Sequence, residues 1–97
     1  MPDLSFEWDL NKAAANSTKR RVTFEDAKTV FFDEKALVIP DPDHSLVEER
    51  FIIMGMSQSL SILVVAHCYR KKNSVIRIIS ARKAGAKEQK PYWNQPK

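Results

Sequence analysis

The hydrophobic period of this chain changes near residue 35, and that change decides its fold class. Before it, Phe24, Ala27, Val30 and Phe31 recur at helical spacing and make one apolar stripe. Thr23 is placed to cap that helix, with Asp26 in its first turn, and the helix should end near Asp33. An earlier helix should begin near Lys12, capped by Asp9 or Asn11 and favoured by Ala13, Ala14 and Ala15. Beyond residue 35 the period is two. Residues 36–39 read as a short strand stopped by Pro40, and residues 50–57, 61–70 and 74–82 as longer ones. Gln58-Ser59 and Lys71-Lys72-Asn73 mark the reversals, so the strands form an antiparallel meander. Phe6-Glu7-Trp8-Asp9 alternates apolar and acidic residues, as a short strand would.

The expected architecture is α+β: two N-terminal helices, over 11–19 and 24–33, packed on an antiparallel meander sheet of three to four strands. Residues 51–56 and 62–68 are apolar on both faces. The helices can cover one face; something else must cover the other, or it must be a concave site. Arg82 to Lys90 is basic and helix-permissive, Pro91 should break it, and residues 91–97, with Tyr92 and Trp93, read as a tail. The 97 residues make one domain with a core over about 6–90.

The longest apolar run, Ile62 to Ala66, is far shorter than the ~20 residues of a membrane span. Acidic residues at Asp3, Glu7 and Asp9 do not suit a secretory leader, and the lone Cys68 suits a reducing compartment. The expected location is the cytoplasm. The formal net charge of +4 conceals an asymmetry. Residues 1–50 hold 7 Lys/Arg against 11 Asp/Glu, a balance of −4, whereas residues 51–97 hold 9 against 1, a balance of +8. A half-chain that basic is suited to a polyanion, with nucleic acid the first candidate.

His67 closes the most apolar run, where it is either a strand-end histidine satisfied by backbone or an imidazole at the rim of a site. Arg77 interrupts an apolar strand and reads as an edge charge or as a phosphate-binding fork, with Ser80 and Arg82 extending the same rim. A three-residue loop over 71–73 sets residue 67 opposite 77. A two- or four-residue loop sets it opposite 78 and sends Arg77 to the other face. The sequence leaves both open. Lys19-Arg20-Arg21 either complements a helix C-terminus or makes a second phosphate-binding edge. Arg70-Lys71-Lys72 suits a solvated hairpin tip. Asp41, Asp43 and His44 are metal-ligand types in one turn-prone pentapeptide, too few to define a site, and no metal or cofactor is expected.

Several of these segments together resemble the BrnT-type toxins of bacterial type II toxin–antitoxin systems. They are Phe6-Glu7-Trp8-Asp9 with Lys12, Asn16 and Lys19; Val22 to Ala27 with Val30-Phe31; Asp41-Pro42-Asp43-His44-Ser45 with Glu48-Glu49-Arg50-Phe51; and Gly55, Ser57, Leu63-Val64-Val65, His67 and Arg77 to Ala84. The resemblance implies a RelE-like fold and a ribonuclease that slows growth by cutting RNA. It implies a BrnA-type antitoxin partner with a ribbon-helix-helix DNA-binding region, a hetero-tetramer of two toxins and two antitoxins, and contact with DNA only through the antitoxin. The family usually carries Lys-His-Gly where this chain has Lys19-Arg20-Arg21. Position 20 therefore lacks an imidazole that titrates near neutral pH.

A metal-independent endoribonuclease needs a base for the 2′-hydroxyl, charge to stabilise the phosphorane and an acid for the leaving oxygen. His67 is the candidate acid or base; Arg77, Arg82 and Lys19 would stabilise the charge, and Ser80 would orient a phosphate oxygen. Arg20, Arg70 and Lys83 would bind RNA, while Tyr69 and Trp93 could stack on bases. The alternative is a weakened or non-enzymatic homologue that binds the antitoxin and helps repress the operon.

Overall fold

The computed structural model describes residues 4–41 and 48–96. The order is β1 (Ser5–Glu7), α1 (Leu10–Arg20), α2 (Phe24–Thr29) continued by a 3-10 turn (Val30–Phe32), then β2 (Leu37–Pro40), β3 (Phe51–Met56), β4 (Ile62–Arg70), β5 (Val75–Lys83) and α3 (Lys90–Trp93). The helix and strand segments fall where the change of period puts them. Asp9 caps α1 by accepting from the Lys12 N–H at 3.0 Å, and Thr23 caps α2 by accepting from Asp26 N–H at 3.0 Å.

The sheet has five strands in the order β1-β5-β4-β3-β2. The expectation of three to four strands falls short because β1 joins the far edge, parallel to β5, through Ser5↔Val75, Phe6↔Ile76 and Glu7↔Arg77. Three residues separated from β5 by both helices carry little signal of such a pairing. The meander β2-β3-β4-β5 is antiparallel throughout.

The helices cover one face. Val22, Phe24, Ala27 and Val30 pack there on Ile53, Leu63, Val65, Ile78 and Ala81, with Phe6, Trp8 and Phe31 at the margin. Gly55 lies on this face opposite Leu63, and a Cβ there would come within 3.0 Å of Val30 Cγ1 and 2.9 Å of Ala36 Cβ. The close approach of the 3-10 turn to β3 thus requires a glycine.

The C-terminal segment departs from the expected tail. Pro91 stands in the first turn of α3, where the missing N–H breaks no helical bond, so it opens a helix instead of ending one. Tyr92 is 5% exposed and packs with Ile62, Val64 and Ala84 beside Leu37, Ile52, Met54 and Met56 on the second face of the sheet. Its hydroxyl donates to Asp33 Oδ2 at 2.6 Å, and burial together with that carboxylate pushes the phenol up to about 12. Residues 84–96 therefore cover part of the face the helices leave bare.

Candidate nucleic-acid site on the open face of the sheet

Two local departures from regular pairing decide which side chains meet. The first is the β4–β5 hairpin. Its loop is four residues, Lys71 to Ser74, with Lys71, Lys72 and Asn73 all in the left-handed region, at φ of 50°, 55° and 70°. The pairs Arg70↔Val75 and His67↔Ile78 follow, and Arg77 pairs with Cys68. His67 and Arg77 thus lie on opposite faces, and a site joining them does not exist. The second departure is a bulge. Beyond Ala66 the register shifts, so that Ala66 pairs with Ser80 and Val64 with Arg82, leaving Ile79 as the extra residue. The bulge keeps both Ile78 and Ala81 on the helix side and turns Ser80 and Arg82 to the open side.

The edge of β5 supplies the third ingredient. β1 pairs only with residues 75–77, so the outer edge of β5 has no strand beside Ala81. Asn16 of α1 fills that role. Its amide donates to Ala81 carbonyl at 2.9 Å, its carbonyl accepts from Ala81 N–H at 3.1 Å, and it also donates to the Val22 carbonyl at 2.8 Å. A buried amide so satisfied holds the end of α1 against the strand. One turn on, Arg20 reaches the open face.

The result is a cleft of about 210 Å³ with Arg20, Arg50, Ser80, Arg82 and Asp41 around a floor of Ile52, Val64, Ala66 and Ile79. Three guanidinium groups in one concavity, with a hydroxyl and a carboxylate, can hold and polarise a phosphodiester. Arg82 is held by a two-pronged ion pair. Its Nη1 and Nη2 donate to the two carboxylate oxygens of Glu88 at 2.7 and 2.8 Å. Arg82 in turn holds the Glu88 carboxyl down at about 2. Asp41 donates its N–H to the Arg50 carbonyl at 2.8 Å, which ties the two segments that frame the cleft mouth.

The other expected site residues lie elsewhere. His67 is 0% exposed on the helix-covered face, ringed by Phe31, Phe51 and Tyr69 with centroids 4.8, 6.1 and 5.4 Å away. Its Nδ1 meets the Val65 carbonyl at 3.2 Å, and burial holds its pKa below the usual histidine value. Arg77 donates to Glu7 at 2.7 Å on the β1 edge; that bond raises its pKa, and it does not line the cleft. Arg70 pairs with Glu48 at 3.2 Å. Lys83 pairs with Leu63 and so points to the face opposite Arg82, Tyr69 shares the face of His67, and Lys19 is exposed outside the cleft. Trp93 is exposed, with its indole N–H donated to Gln89 Oε1 at 3.0 Å. Of the expected residues, the cleft brings together Arg20, Ser80 and Arg82.

Arg50 and Asp41 were not among the expected site residues. The signal for Arg50 was in the alternation that leads into β3: Arg50 shares the parity of Ile52, Met54 and Met56, and that parity faces away from the helices. Asp43 and His44 of the polar pentapeptide lie outside the described residues. Among the described residues no cluster of three or more metal-ligating side chains is present, and no helix is long and apolar enough to cross a membrane.

Comparison with known proteins bears on the fold and the family. No curated protein sequence matches the chain. The 1.1 Å crystal structure of the Brucella abortus ribonuclease toxin BrnT is similar in fold, with a TM-score of 0.66 at 22% identity over 86% of this chain and 99% of that one. A family model described as the ribonuclease toxin BrnT of type II toxin–antitoxin systems matches residues 8–88. That span runs from the aromatic residue after β1, through Arg20, Arg50 and the bulge, to the Glu88 that grips Arg82, and the chain belongs to the BrnT family of ribonuclease toxins.

Proposed function

We propose that this chain is an endoribonuclease toxin that cleaves RNA, without a metal ion, in the cleft on the open face of the sheet. The observation that carries the reading is the convergence of Arg20, Arg50, Arg82 and Ser80 on one concavity. RNA brings its own nucleophile, the 2′-hydroxyl. Asp41, the carboxylate among the described residues lining the cleft, takes the proton from it. Attack on phosphorus breaks the bond to the 5′-oxygen, which leaves with a proton taken from water, and forms a 2′,3′-cyclic phosphate. Arg82 and Arg20 stabilise the charge that builds on the phosphoryl oxygens, Ser80 orients one of them, and Arg50 extends the grip along the backbone. An arginine at position 20 holds charge but does not move a proton near pH 7, so its part is electrostatic.

The partner is a BrnA-type antitoxin with a ribbon-helix-helix region, in a complex of two toxins and two antitoxins that meets DNA through the antitoxin. A balance of +8 in residues 51–97 suits an acidic antitoxin segment. Ile39, 58% exposed on the edge strand β2, lines with Leu37 and Met54 an apolar groove that adjoins the cleft through Ile52 and Val64. An antitoxin seated there covers Arg82, over on the order of 1,600 Å².

The test is cleavage in EDTA of an RNA and of the same strand with a 2′-deoxy sugar at the scissile position. The reading expects cyclic phosphate ends from the first and none from the second. Arg82→Ala should slow cleavage about 10- to 150-fold, the loss of a charged hydrogen-bond contact. The presence of Arg20 where the family usually has histidine favours a second reading, an antitoxin-binding homologue without turnover. An intact RNA in that assay, beside a tight antitoxin complex, selects it.

A further inference from the structure

Glu88 is the single acidic residue among positions 51–97, and the structure spends it on Arg82. The pair is two-pronged, at 2.7 and 2.8 Å, with both oxygens of the carboxylate and both terminal nitrogens of the guanidinium engaged. Such a fork fixes the plane of the guanidinium as well as its distance. Glu88 is itself fixed. Its Oε1 also accepts from Gly85 N–H at 3.0 Å, and the next residue, Gln89, donates to the Ala84 carbonyl at 3.1 Å. One turn further on, Tyr92 anchors the segment through Asp33. The chain of contacts runs from the buried Tyr92 back to the rim of the cleft.

A long arginine at a cleft rim beside two others has reason to swing outward, since like charges repel and the free side chain has many rotamers. We infer that Glu88 is a positioning residue: its carboxylate holds the Arg82 guanidinium in the orientation in which its remaining N–H groups meet the scissile phosphate. Glu88 touches no substrate atom and acts through Arg82. The inference rests on the reading of the cleft as the RNA-cleaving site. It makes the segment after β5 part of the site, although that segment lies outside the strands that build it.

A carboxylate that competed with the phosphate for the fork would speed the reaction when removed, and one that served only to hold the C-terminal segment would act through stability alone. The experiment separates both from positioning. Glu88→Gln, Arg82→Ala, the double variant and Gln89→Ala are compared by kcat and KM on RNA in EDTA, by melting temperature, and by the Arg82 Nε–H signal in nitrogen-15 NMR. Positioning predicts that Glu88→Gln lowers kcat/KM about 10-fold or more with kcat carrying most of it, and that the Arg82 signal broadens. The double variant is then no slower than Arg82→Ala alone, the non-additivity expected of residues that act as a unit. Gln89→Ala, which loosens the same segment without touching the pair, leaves kcat near wild type.

Cleavage by Glu88→Gln at or above the wild-type rate overturns the inference, while Arg82→Ala still tests the site itself. If Arg82→Ala cleaves normally, it is the reading of the cleft that falls. Equal losses in Glu88→Gln and Gln89→Ala, in step with melting temperature, mean that the pair is structural and also overturn the inference. Should Glu88→Gln fail to fold, Glu88→Asp provides the same comparison, since it keeps the charge but is one methylene too short for the two-pronged contact.

Discussion

The side chain of Asn16 grips both backbone groups of Ala81, accepting from its N–H at 3.1 Å and donating to its carbonyl at 2.9 Å. One side chain thus stands in for the strand that β5 lacks along its outer edge, and it sets the distance between the end of α1 and the bulge. Asn16→Ala orphans both Ala81 groups and the Val22 carbonyl. The expected loss is at least the about 1–3 kcal/mol of one unsatisfied buried group, read from urea unfolding. Activity per folded molecule should fall as well, because Arg20 and Ser80 approach the cleft from the two sides of that contact.

Arg21 ends α1 in the left-handed conformation, at φ 59° and ψ 32°, with its N–H donated to the Ser17 carbonyl at 3.0 Å. That is the position at which glycine closes a helix without strain. Arg21→Gly should therefore stabilise the chain by about 0.5–1 kcal/mol, the reverse of the usual effect of glycine beside a helix. Thermal unfolding at matched ionic strength checks this. A lowered melting temperature would show that the Arg21 side chain carries a contact worth more than the backbone relief.

His67 makes stability depend on pH. Its pKa lies below the usual value of 6.5 because burial among aromatic rings disfavours the imidazolium, the Val65 carbonyl opposing this only in part. The unfolded chain therefore binds a proton more readily than the folded one. The stability that neutral His67 contributes is complete above about pH 6.5 and is lost as pH falls through that value toward the folded pKa. Glu88 behaves similarly but begins lower, its contribution being lost between about 4.5 and about 2. His67→Phe should remove the first loss of stability on acidification and leave the second. An unchanged midpoint profile between pH 7 and 5 would contradict this.

The elements of the fold were legible from residues whose signal is local. Thr23, Asp9 and the stripe of Phe24, Ala27, Val30 and Phe31 each act within one helical turn, and each was found where expected. The site was legible only in its residue types. Arg82, Ser80 and Arg20 are of the types the sequence singled out and line one cleft, but which residues meet depends on one extra residue, Ile79, and on a four-residue hairpin loop. Neither leaves a pattern in composition or spacing, because a bulge inside an apolar strand is written in the same residues as the strand. His67 looked like a site residue for the same reason. A polar group at the end of an apolar run has the same local signature on either face, and the register that buries it is set by the loop at 71–74. Tyr92 and Pro91 were misjudged because the partner of Tyr92, Asp33, is 59 positions away.

The central claim is that the working face of the sheet is the one with Arg82, with His67 outside the site. It is tested most directly by the rate of RNA cleavage per folded molecule in EDTA, at pH 7.5, for Arg82→Ala and His67→Phe side by side. The account predicts a loss of about 10- to 150-fold for Arg82→Ala. For His67→Phe it predicts a rate within about threefold of wild type, since a buried ring on the helix side is replaced by another ring. A His67→Phe protein that folds with an unchanged melting temperature yet no longer cuts RNA, beside an active Arg82→Ala, would place the chemistry on the other face and contradict it.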